Sequence, residues 1–296
     1  MDGRNPIVTC VGDPRSGHET EDVAEGDGHE EPITVRVVGG GPAGLETARF
    51  AAARGHRVTL VEAGDRLGGR LRAAARLPGR ERLGLLVDWL EAECLRLGVE
   101  IQTGAKFEAD GAAPSVVCTG SVDGDPTYAV SGGAAVSAAS LVEAGPPPEG
   151  PVVVWDPVGG PIGIGVAELL AGEGVATTLV TPDPVAGTML ALSGDLVAAN
   201  RRLRRAGVEL VRRAVVREVR AGEVVIEDRF GAGTRAITAS LLVDAGPRLP
   251  DPQPALGEGV RAGDAIAPRT LLEATMEARR AVLALERSRQ PAPVAS

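Results

Sequence analysis

Residues 33–62 constrain the fold of this chain more than any other segment. The run ITVRVVG is typical of a buried strand, the next stretch favours a helix that ends at Gly55, and HRVTLVE is typical of a second strand. Gly39, Gly41 and Gly44 form the pattern GxGxxG between the first strand and the helix. This order predicts a dinucleotide-binding βαβ unit.

Each glycine of this pattern has its own mechanical role. We expect Gly39 to permit the tight turn, Gly41 to let a pyrophosphate approach the backbone, and Gly44 to let the helix pack against the strand. The free N–H groups and the positive end of the helix dipole favour a phosphate at the same place. Glu62 ends the second strand, where a carboxylate accepts hydrogen bonds from a ribose. The segment therefore predicts a site for the ADP half of a cofactor.

Three shorter elements downstream extend this site towards FAD. We expect the Gly-Gly turn before Arg70 to pass under the cofactor, Thr119-Gly120 to lie on its adenine side, and Asp264 to accept hydrogen bonds from the ribityl hydroxyls. Their order after the first motif favours FAD, with ADP alone as the alternative. The predicted cofactor-binding residues are Gly39, Gly41, Pro42, Ala43, Gly44, Glu62, Ala63, Gly69, Arg70, Leu71, Thr119, Gly120, Gly263 and Asp264.

The strand–glycine–helix–strand pattern restarts at Pro151, and ASLLVDAG later mirrors PSVVCTG. Strands that alternate with helices predict parallel sheets covered on both faces. We therefore predict an α/β fold with two Rossmann-like nucleotide-binding domains of the glutathione-reductase type, one inserted in the other. The predicted parts are an acidic N-terminal arm (1–32), an FAD or ADP domain (33–145 plus 240–288), a degenerate NAD(P)-binding-like domain (146–239) and a tail (289–296).

Composition excludes several kinds of partner. The net charge of −9 argues against a nucleic-acid surface, because such binding depends on neutralising phosphates. No apolar run reaches the roughly 18–20 residues of a membrane span, so we expect no membrane partner. The chain has three cysteines, which are too scattered for a disulfide framework, and we therefore expect a reducing, cytoplasmic setting. His56 is isolated from other metal-ligand residue types, and we expect it on the surface.

Four segments resemble a known family: GGGPAGLETARFAAARGHRVTLVEAGDRLGGRL, LPGRERLGLLVDWL, VVCTG and GDAIAPRTLLEAT. They are similar to the C-terminal flavin and nucleotide domains of 2,4-dienoyl-CoA reductase and trimethylamine dehydrogenase, which are multidomain members of the Old Yellow Enzyme group. The resemblance runs from about residue 5 to residue 288, and GDAIAPRT is most similar to the trimethylamine and histamine dehydrogenase branch. Within that family, these domains accompany an FMN-binding TIM barrel that performs the substrate chemistry.

Two departures from the family bear on function. No counterpart of the barrel is found in these 296 residues, so the resemblance implies a barrel on a partner chain. The family also holds a 4Fe-4S cluster with four cysteines, and NPIVTCVGDPRSGHE resembles the stretch that contains the last of them. Cys10 would align with that ligand, while the other three are absent. Cys10 therefore either completes a cluster shared with a partner or is a relic.

A third departure lies in the second glycine-rich turn, DPVGGPIGIG. Asp156 stands where the first glycine of the pattern would be, and the next strand ends in Thr181-Pro182 instead of a ribose-binding carboxylate. We therefore expect NAD(P)H binding to be lost or weak. Gly163 and Gly165 are expected to serve close packing of the helix against the strand.

These observations predict the nucleotide-binding, electron-transfer subunit of a split dehydrogenase or reductase. Its catalytic FMN barrel would be a separate polypeptide, and the subunit would pass or gate electrons between that barrel and a carrier such as an electron-transfer flavoprotein or a ferredoxin. One alternative is a self-sufficient NAD(P)H-dependent FAD oxidoreductase. The other is a structural subunit that binds ADP without redox chemistry of its own. The sequence indicates no catalytic residue, because we find no nucleophile with a base and no paired carboxylates.

Overall fold

The computed structural model describes residues 9–17, 19–20, 32–107, 116–145, 149–231, 233–253, 256 and 259–289. The strands are β1 Thr34–Val38, β2 Arg57–Val61, β3 Glu100–Gln102, β4 Val116–Val117, β5 Ser121–Asp123, β6 Ala129–Ser131, β7 Ala135–Ser137, β8 Val152–Trp155, β9 Thr177–Thr181, β10 Glu209–Arg212, β11 Ala214–Arg220, β12 Glu223–Asp228, β13 Thr234–Thr238, β14 Leu241–Asp244, β15 Arg248–Pro250 and β16 Val260–Arg261. The α-helices are α1 Pro42–Ala53, α2 Gly69–Ala74, α3 Arg82–Arg96, α4 Ala138–Ala144, α5 Pro161–Gly172, α6 Leu196–Arg205 and α7 Leu271–Arg289.

The chain forms two compact units, and together they confirm the predicted α/β fold. The first unit comprises Met1–Arg72, Leu83–Val122 and Leu249–Ser296, and the second comprises Ala73–Arg82 and Asp123–Arg248. Residues 123–145 and 240–248, which the sequence prediction assigned to the cofactor domain, lie in the second unit. The physical reason is strand pairing, since β6 pairs with β11, β14 with β8, and β7 with β14.

A parallel five-stranded sheet in the order β16-β4-β1-β2-β3 forms the centre of the first unit. The central strand β1 places Val35 and Val37 at 0% exposure, which explains its nearly unbroken apolar run. Helix α1 begins at Pro42, whose fixed φ suits the first helical position, and Gly55 follows its end with a φ of +88°. The sheet and helix therefore form where the GxGxxG pattern predicts them.

Two buried ionic clusters join α1 to α7 within the first unit. Glu46 accepts hydrogen bonds from Arg49 and from Arg279, at 2.8 Å and 2.6 Å. Glu286 accepts from Arg54 at 2.6 Å and lies 2.8 Å from the Nε2 atom of His56. The prediction that His56 lies on the surface is therefore wrong. Its ring is buried because α7 returns over the end of α1 and supplies the carboxylate.

The second unit contains a parallel sheet in the order β10-β9-β8-β14-β7 and a separate sheet in the order β13-β12-β11-β6. Helix α5 follows β8 as α1 follows β1, and it also begins with proline in its first turn. A Cβ atom built on Gly165 would lie 2.9 Å from the side chain of Leu77. This glycine therefore lets α5 pack against the segment that contains Leu77, whereas we expected it to serve packing against the strand. Among the helices that the structure describes, none combines the length and apolar character needed to cross a membrane.

Candidate functional site

The glycine turn of the first unit lies at the carboxyl end of β1. Gly39 adopts a φ of +105°, and a Cβ atom built on it would lie 2.3 Å from the carbonyl oxygen of Cys118. A Cβ atom built on Gly44 would lie 1.8 Å from the carbonyl oxygen of Gly39. Both positions therefore require glycine, the first for conformation and contact with the end of β4, and the second for contact between α1 and the turn.

Gly41 differs from both, because no atom of the described residues lies within 4 Å of a Cβ atom built on it. Its φ of −71° and ψ of −179° are also accessible to other residues, so the fold itself does not demand glycine here. The open space lies at the N-terminus of α1, whose N-cap residue, Gly41, has no side chain that could cap the helix. The turn thus presents backbone N–H groups to a space that a phosphate could enter.

Glu62 directs its carboxylate at this turn. Its Oε2 atom accepts from the N–H of Gly40 at 2.6 Å, and its Oε1 atom accepts from the N–H of Gly64 at 2.7 Å. Each carboxylate oxygen can accept a further hydrogen bond, so both remain able to bind ribose hydroxyls. Ala63, next in the chain, is exposed.

The Gly68-Gly69 turn lies against the same glycine turn. The N–H of Gly68 donates to the carbonyl oxygen of Gly40 at 2.7 Å. A Cβ atom built on Gly69 would lie 3.3 Å from the Cα atom of Gly41. Arg70 is exposed, and Leu71 packs partly buried against the core of the unit.

Thr119 lies at the carboxyl end of β4, beside Gly39. Its Oγ1 atom is buried and has no hydrogen-bond partner among the residues that the structure describes. A buried hydroxyl without a partner is costly, which makes this atom a candidate contact for a bound molecule. Gly120 follows with a φ of +84°.

Gly263 and Asp264 approach the same turn from the other end of the chain. A Cβ atom built on Gly263 would lie 2.7 Å from the Cβ atom of Ala43, and its N–H donates to Glu277 at 3.0 Å. Asp264 accepts a hydrogen bond of 2.7 Å from the hydroxyl of Ser121. Ser121 is not among the residues predicted from the sequence, although its position directly after Thr119-Gly120 could have indicated it.

The chemistry of this set fits an ADP-containing cofactor. The N-terminus of α1 offers donors to phosphates, and Glu62 offers acceptors to a ribose. Thr119 has a hydroxyl that bonds to none of the described residues. Asp264 offers acceptors at the edge where a ribityl chain would extend. If FAD is the cofactor, Gly41, Glu62 and Thr119 would hold its ADP half.

The cysteines differ sharply in their surroundings. Burial raises the pKa of the Cys94 thiol and of the Cys118 thiol to about 12, so both are inert core residues at neutral pH. Cys10 is exposed and free. In the described part of the chain, no three His, Cys, Asp or Glu side chains are grouped as metal ligands. The role of Cys10 in a shared cluster stays a prediction.

The turn of the second unit holds a carboxylate in place of an open space. Asp156 is 1% exposed, and its Oδ1 atom accepts from the N–H of Gly159 at 2.9 Å. A Cβ atom built on Gly163 would lie 2.6 Å from the carboxyl carbon of Asp156. The absence of a side chain at Gly163 therefore leaves space for the carboxyl group of Asp156. We had expected Gly163 to serve close packing of the helix against the strand.

A cavity of about 580 Å³ lies at the carboxyl ends of β7, β8 and β14 in the second unit. Trp155 and Asp244 line it, and Asp244 accepts a hydrogen bond of 2.8 Å from the hydroxyl of Tyr128. Burial raises the pKa of the Tyr128 hydroxyl and that of the Asp244 carboxyl. A cavity of this volume is in the range that holds small molecules.

Residues 37–93 match the family described as NAD(P)-binding Rossmann-like domain. The chain is 30% identical over 196 residues to N,N-dimethylglycine/sarcosine dehydrogenase of Chromohalobacter salexigens, an alignment that covers 60% of this chain and 27% of that protein. It is 35% identical over 163 residues to the multifunctional alkene reductase/demethylase OYE of Caballeronia cordobensis, which covers 53% of this chain and 24% of that protein. The chain thus spans about a quarter of the length of these relatives.

Among solved structures, histamine dehydrogenase from Rhizobium sp. 4-9 superposes with a TM-score of 0.83 and 25% identity. The superposition covers 97% of this chain and 49% of that protein. These relationships confirm the family resemblance. The chain is a homologue of the flavin- and nucleotide-binding region of Old Yellow Enzyme-like and trimethylamine or sarcosine dehydrogenase-type oxidoreductases.

Proposed function

We propose that the first unit binds FAD through its ADP half, and that the chain is the electron-transfer subunit of a split oxidoreductase. The observation that carries this proposal is the open face of Gly41 beside the Glu62 carboxylate and the N-terminus of α1. FAD, when bound, supplies the redox chemistry, while the protein positions it. Gly41 admits the phosphates, Glu62 orients the ribose, and Asp264 faces the flavin half.

The split arrangement is proposed from the family resemblance, because these domains accompany an FMN-binding TIM barrel within that family. This chain aligns with 49% of the histamine dehydrogenase chain. We propose that the barrel that works with the first unit is a partner polypeptide. The subunit would pass electrons between this partner and a carrier such as an electron-transfer flavoprotein or a ferredoxin.

The nucleotide is tested on the purified protein by its absorption spectrum and by identifying what it releases on denaturation. We expect flavin absorption bands and one FAD per chain. A colourless protein that releases ADP would refute FAD and establish the structural role. A protein that neither contains nor binds an adenine nucleotide would refute the site itself.

The split arrangement is tested by purifying the native complex from its source. We expect a separate barrel-type FMN protein to accompany the chain, and a mass spectrum to show two polypeptides. A single polypeptide that carries both parts would contradict the proposal. So would a protein that runs alone as a monomer and oxidises NADPH with bleaching of its flavin, which is the behaviour of a self-sufficient reductase.

The same complex tests the prediction for Cys10. If Cys10 is the ligand of a shared 4Fe-4S cluster, Cys10→Ser lowers the iron and labile sulfide content of the complex and leaves its flavin content unchanged. Cys94→Ser is the matched control for thiol loss, because Cys94 is buried in the core. Equal iron content in the wild type and in Cys10→Ser would show that Cys10 is not a ligand.

A further inference from the structure

The two glycine turns of this protein can be compared position by position. Helices α1 and α5 both follow an N-cap glycine, Gly41 and Gly160, and both begin with proline. Two positions after each proline stands another glycine, Gly44 or Gly163. In the first turn Gly44 faces a backbone carbonyl, whereas in the second Gly163 faces the carboxyl group of Asp156. Asp156 therefore occupies space that has no side chain in the first turn.

The carboxylate of Asp156 uses the donors that such a turn offers to a phosphate. It accepts hydrogen bonds from the backbone at Gly159, Val158 and Gly160. Its Oδ2 atom is buried and has no hydrogen-bond partner among the described residues. Burial raises its pKa to about 6, more than those hydrogen bonds lower it, and the carboxyl is still largely ionised at neutral pH. An incoming phosphate would meet a buried negative charge and occupied donors.

The second turn nevertheless retains a carboxylate in the position of Glu62. A Cβ atom built on Gly40 would lie 3.1 Å from Oε2 of Glu62, and one built on Gly159 would lie 2.9 Å from Oδ2 of Asp183. Gly40 and Gly159 hold equivalent places, each directly before the N-cap glycine. The sequence pattern predicts no ribose-binding carboxylate here, because Pro182 stands at the position of Glu62. The structure places the carboxylate of Asp183, one residue later, beside Gly159.

The cavity of about 580 Å³ lies at the same edge of the sheet. In the order β10-β9-β8-β14-β7, the chain runs outwards from β8 through β9 to β10, and it later returns as β14 on the other side of β8. Ligands of open parallel sheets bind at such a switch point. The second unit therefore has a helix N-terminus, a nearby carboxylate and a cavity at this edge, while Asp156 occupies the position that a phosphate would need.

We propose that Asp156 closes the second unit to nicotinamide dinucleotides by holding the place of their pyrophosphate. Removing Asp156 opens the site, and Asp183 then gives it a preference for NADH over NADPH. A carboxylate accepts from a ribose 2′-hydroxyl and repels a 2′-phosphate. This inference concerns the second unit and does not rest on the proposed function of the first.

The test uses the full chain with Gly41→Val, which blocks the first turn, so that binding reports on the second unit. Asp156→Gly and Asp156→Ala are both made, and each is checked for folding by circular dichroism. Calorimetric titration is expected to show that either variant binds NADH at least about tenfold more tightly than the Gly41→Val parent, since it regains charge-assisted donors. NADPH should bind about tenfold more weakly than NADH, and Asp183→Ser should remove that preference.

Two control variants test whether the volume or the charge of the Asp156 side chain closes the site. Glu173→Gly removes a carboxylate from the opposite end of the same helix and should not change NADH binding. Asp156→Asn removes the charge and keeps the volume, so the site should stay closed.

Three results would overturn the proposal. The first is micromolar NADH binding by the Gly41→Val parent. The second is a folded Asp156→Gly or Asp156→Ala variant that binds NADH no better than Glu173→Gly does. The third is an Asp156→Asn variant that binds as well as Asp156→Gly. FAD content is measured separately on the protein with an intact Gly41, so failure here is distinguishable from failure of the proposed function.

Discussion

The carboxylate of Glu62 accepts a hydrogen bond of 2.6 Å from the backbone N–H of Gly40. This contact joins the end of β2 to the glycine turn that follows β1. The same carboxylate holds the N–H of Gly64 at 2.7 Å. Glu62 therefore shapes the turn before any nucleotide arrives, and its role in binding includes pre-organisation.

Glu62→Ala should weaken ADP binding by about tenfold or more and lower the free energy of unfolding by about 1–3 kcal/mol, because two backbone donors lose a charged acceptor. Calorimetric titration with ADP and urea unfolding measure the two effects. Asp65→Ala, which removes an exposed carboxylate three residues away, is the matched control. Unchanged ADP affinity in Glu62→Ala would contradict the assigned role.

Gly41→Val and Gly44→Val should have different effects, because Gly41 leaves space for the nucleotide and Gly44 serves packing of α1 against the turn. The Gly41 side chain would enter open space, so this variant should keep its melting temperature and lose most ADP affinity. The Gly44 side chain would collide with the Gly39 carbonyl, so this variant should be destabilised by several kcal/mol, on the order of a severe overpacking mutation. Thermal melts with and without ADP measure both effects. A Gly41→Val variant that binds ADP normally would show that the phosphates lie elsewhere.

Asp156 should make the second unit more stable at lower pH. Burial raises its pKa from 3.8 to about 6, and the carboxylate of Asp183 adds to this, while the hydrogen bonds from Val158, Gly159 and Gly160 oppose it. Because the folded-state pKa exceeds the unfolded one, the protein takes up a proton on folding between these values. The stability difference between the wild type and Asp156→Asn should therefore shift in favour of the wild type, by up to about 3 kcal/mol, as pH falls from about 7 to about 4.

Tryptophan fluorescence makes this measurement specific to the second unit. The chain has two tryptophans, and in a Trp89→Phe background only Trp155 remains, buried at the end of β8. Urea unfolding followed at several pH values then gives the pH dependence directly. A stability difference that does not change over this range would refute a raised pKa for Asp156.

Glu286→Gln should destabilise the first unit at neutral pH. Burial raises the pKa of Glu286, but the hydrogen bonds from Arg54 and His56 outweigh it and hold the pKa below its usual range. The stabilisation is therefore present above the unfolded-state pKa and is lost as pH falls through the lower folded-state value. We expect a loss of about 3 kcal/mol at pH 7, because the negative charge that faces Arg54 would be removed, and a smaller difference between the two proteins at acid pH.

Glu93→Gln is the control for this prediction. Glu93 forms a surface pair with Arg96, so its loss should cost less than about 1 kcal/mol. Equal effects of the two substitutions in urea unfolding would contradict the importance of the buried cluster.

Much of the first unit could be predicted from its sequence because its determinants are local. The turn from Gly39 to Gly44 and the carboxylate of Glu62 lie within one βαβ segment, and their geometry follows from strand, turn and helix. The places of Thr119 and Asp264 followed from their order in the chain. The predicted α/β fold is confirmed for the same reason, since the alternation of strands and helices determines it.

What the sequence did not reveal depends on distant or shifted partners. The burial of His56 depends on Glu286, which is 230 residues away in the chain. The position of Asp183 depends on how Pro182 redirects the chain after β9, which no fixed spacing predicts. Gly163 has the same place in the pattern as Gly44, yet the group that it accommodates is a side chain that only the folded turn brings there.

The pairing of β16 with β4 means that the nucleotide site is completed late in the synthesis of the chain. Its glycine turn leaves the ribosome early, but the edge strand β16 and the ion pairs of α7 are supplied by residues more than 200 positions later. The second unit lies almost entirely between these segments and can fold first. A nascent chain stalled once residue 248 has emerged should therefore resist proteolysis in its second unit and retain no ADP. ADP binding by the nascent chain would then show that the whole first unit has folded.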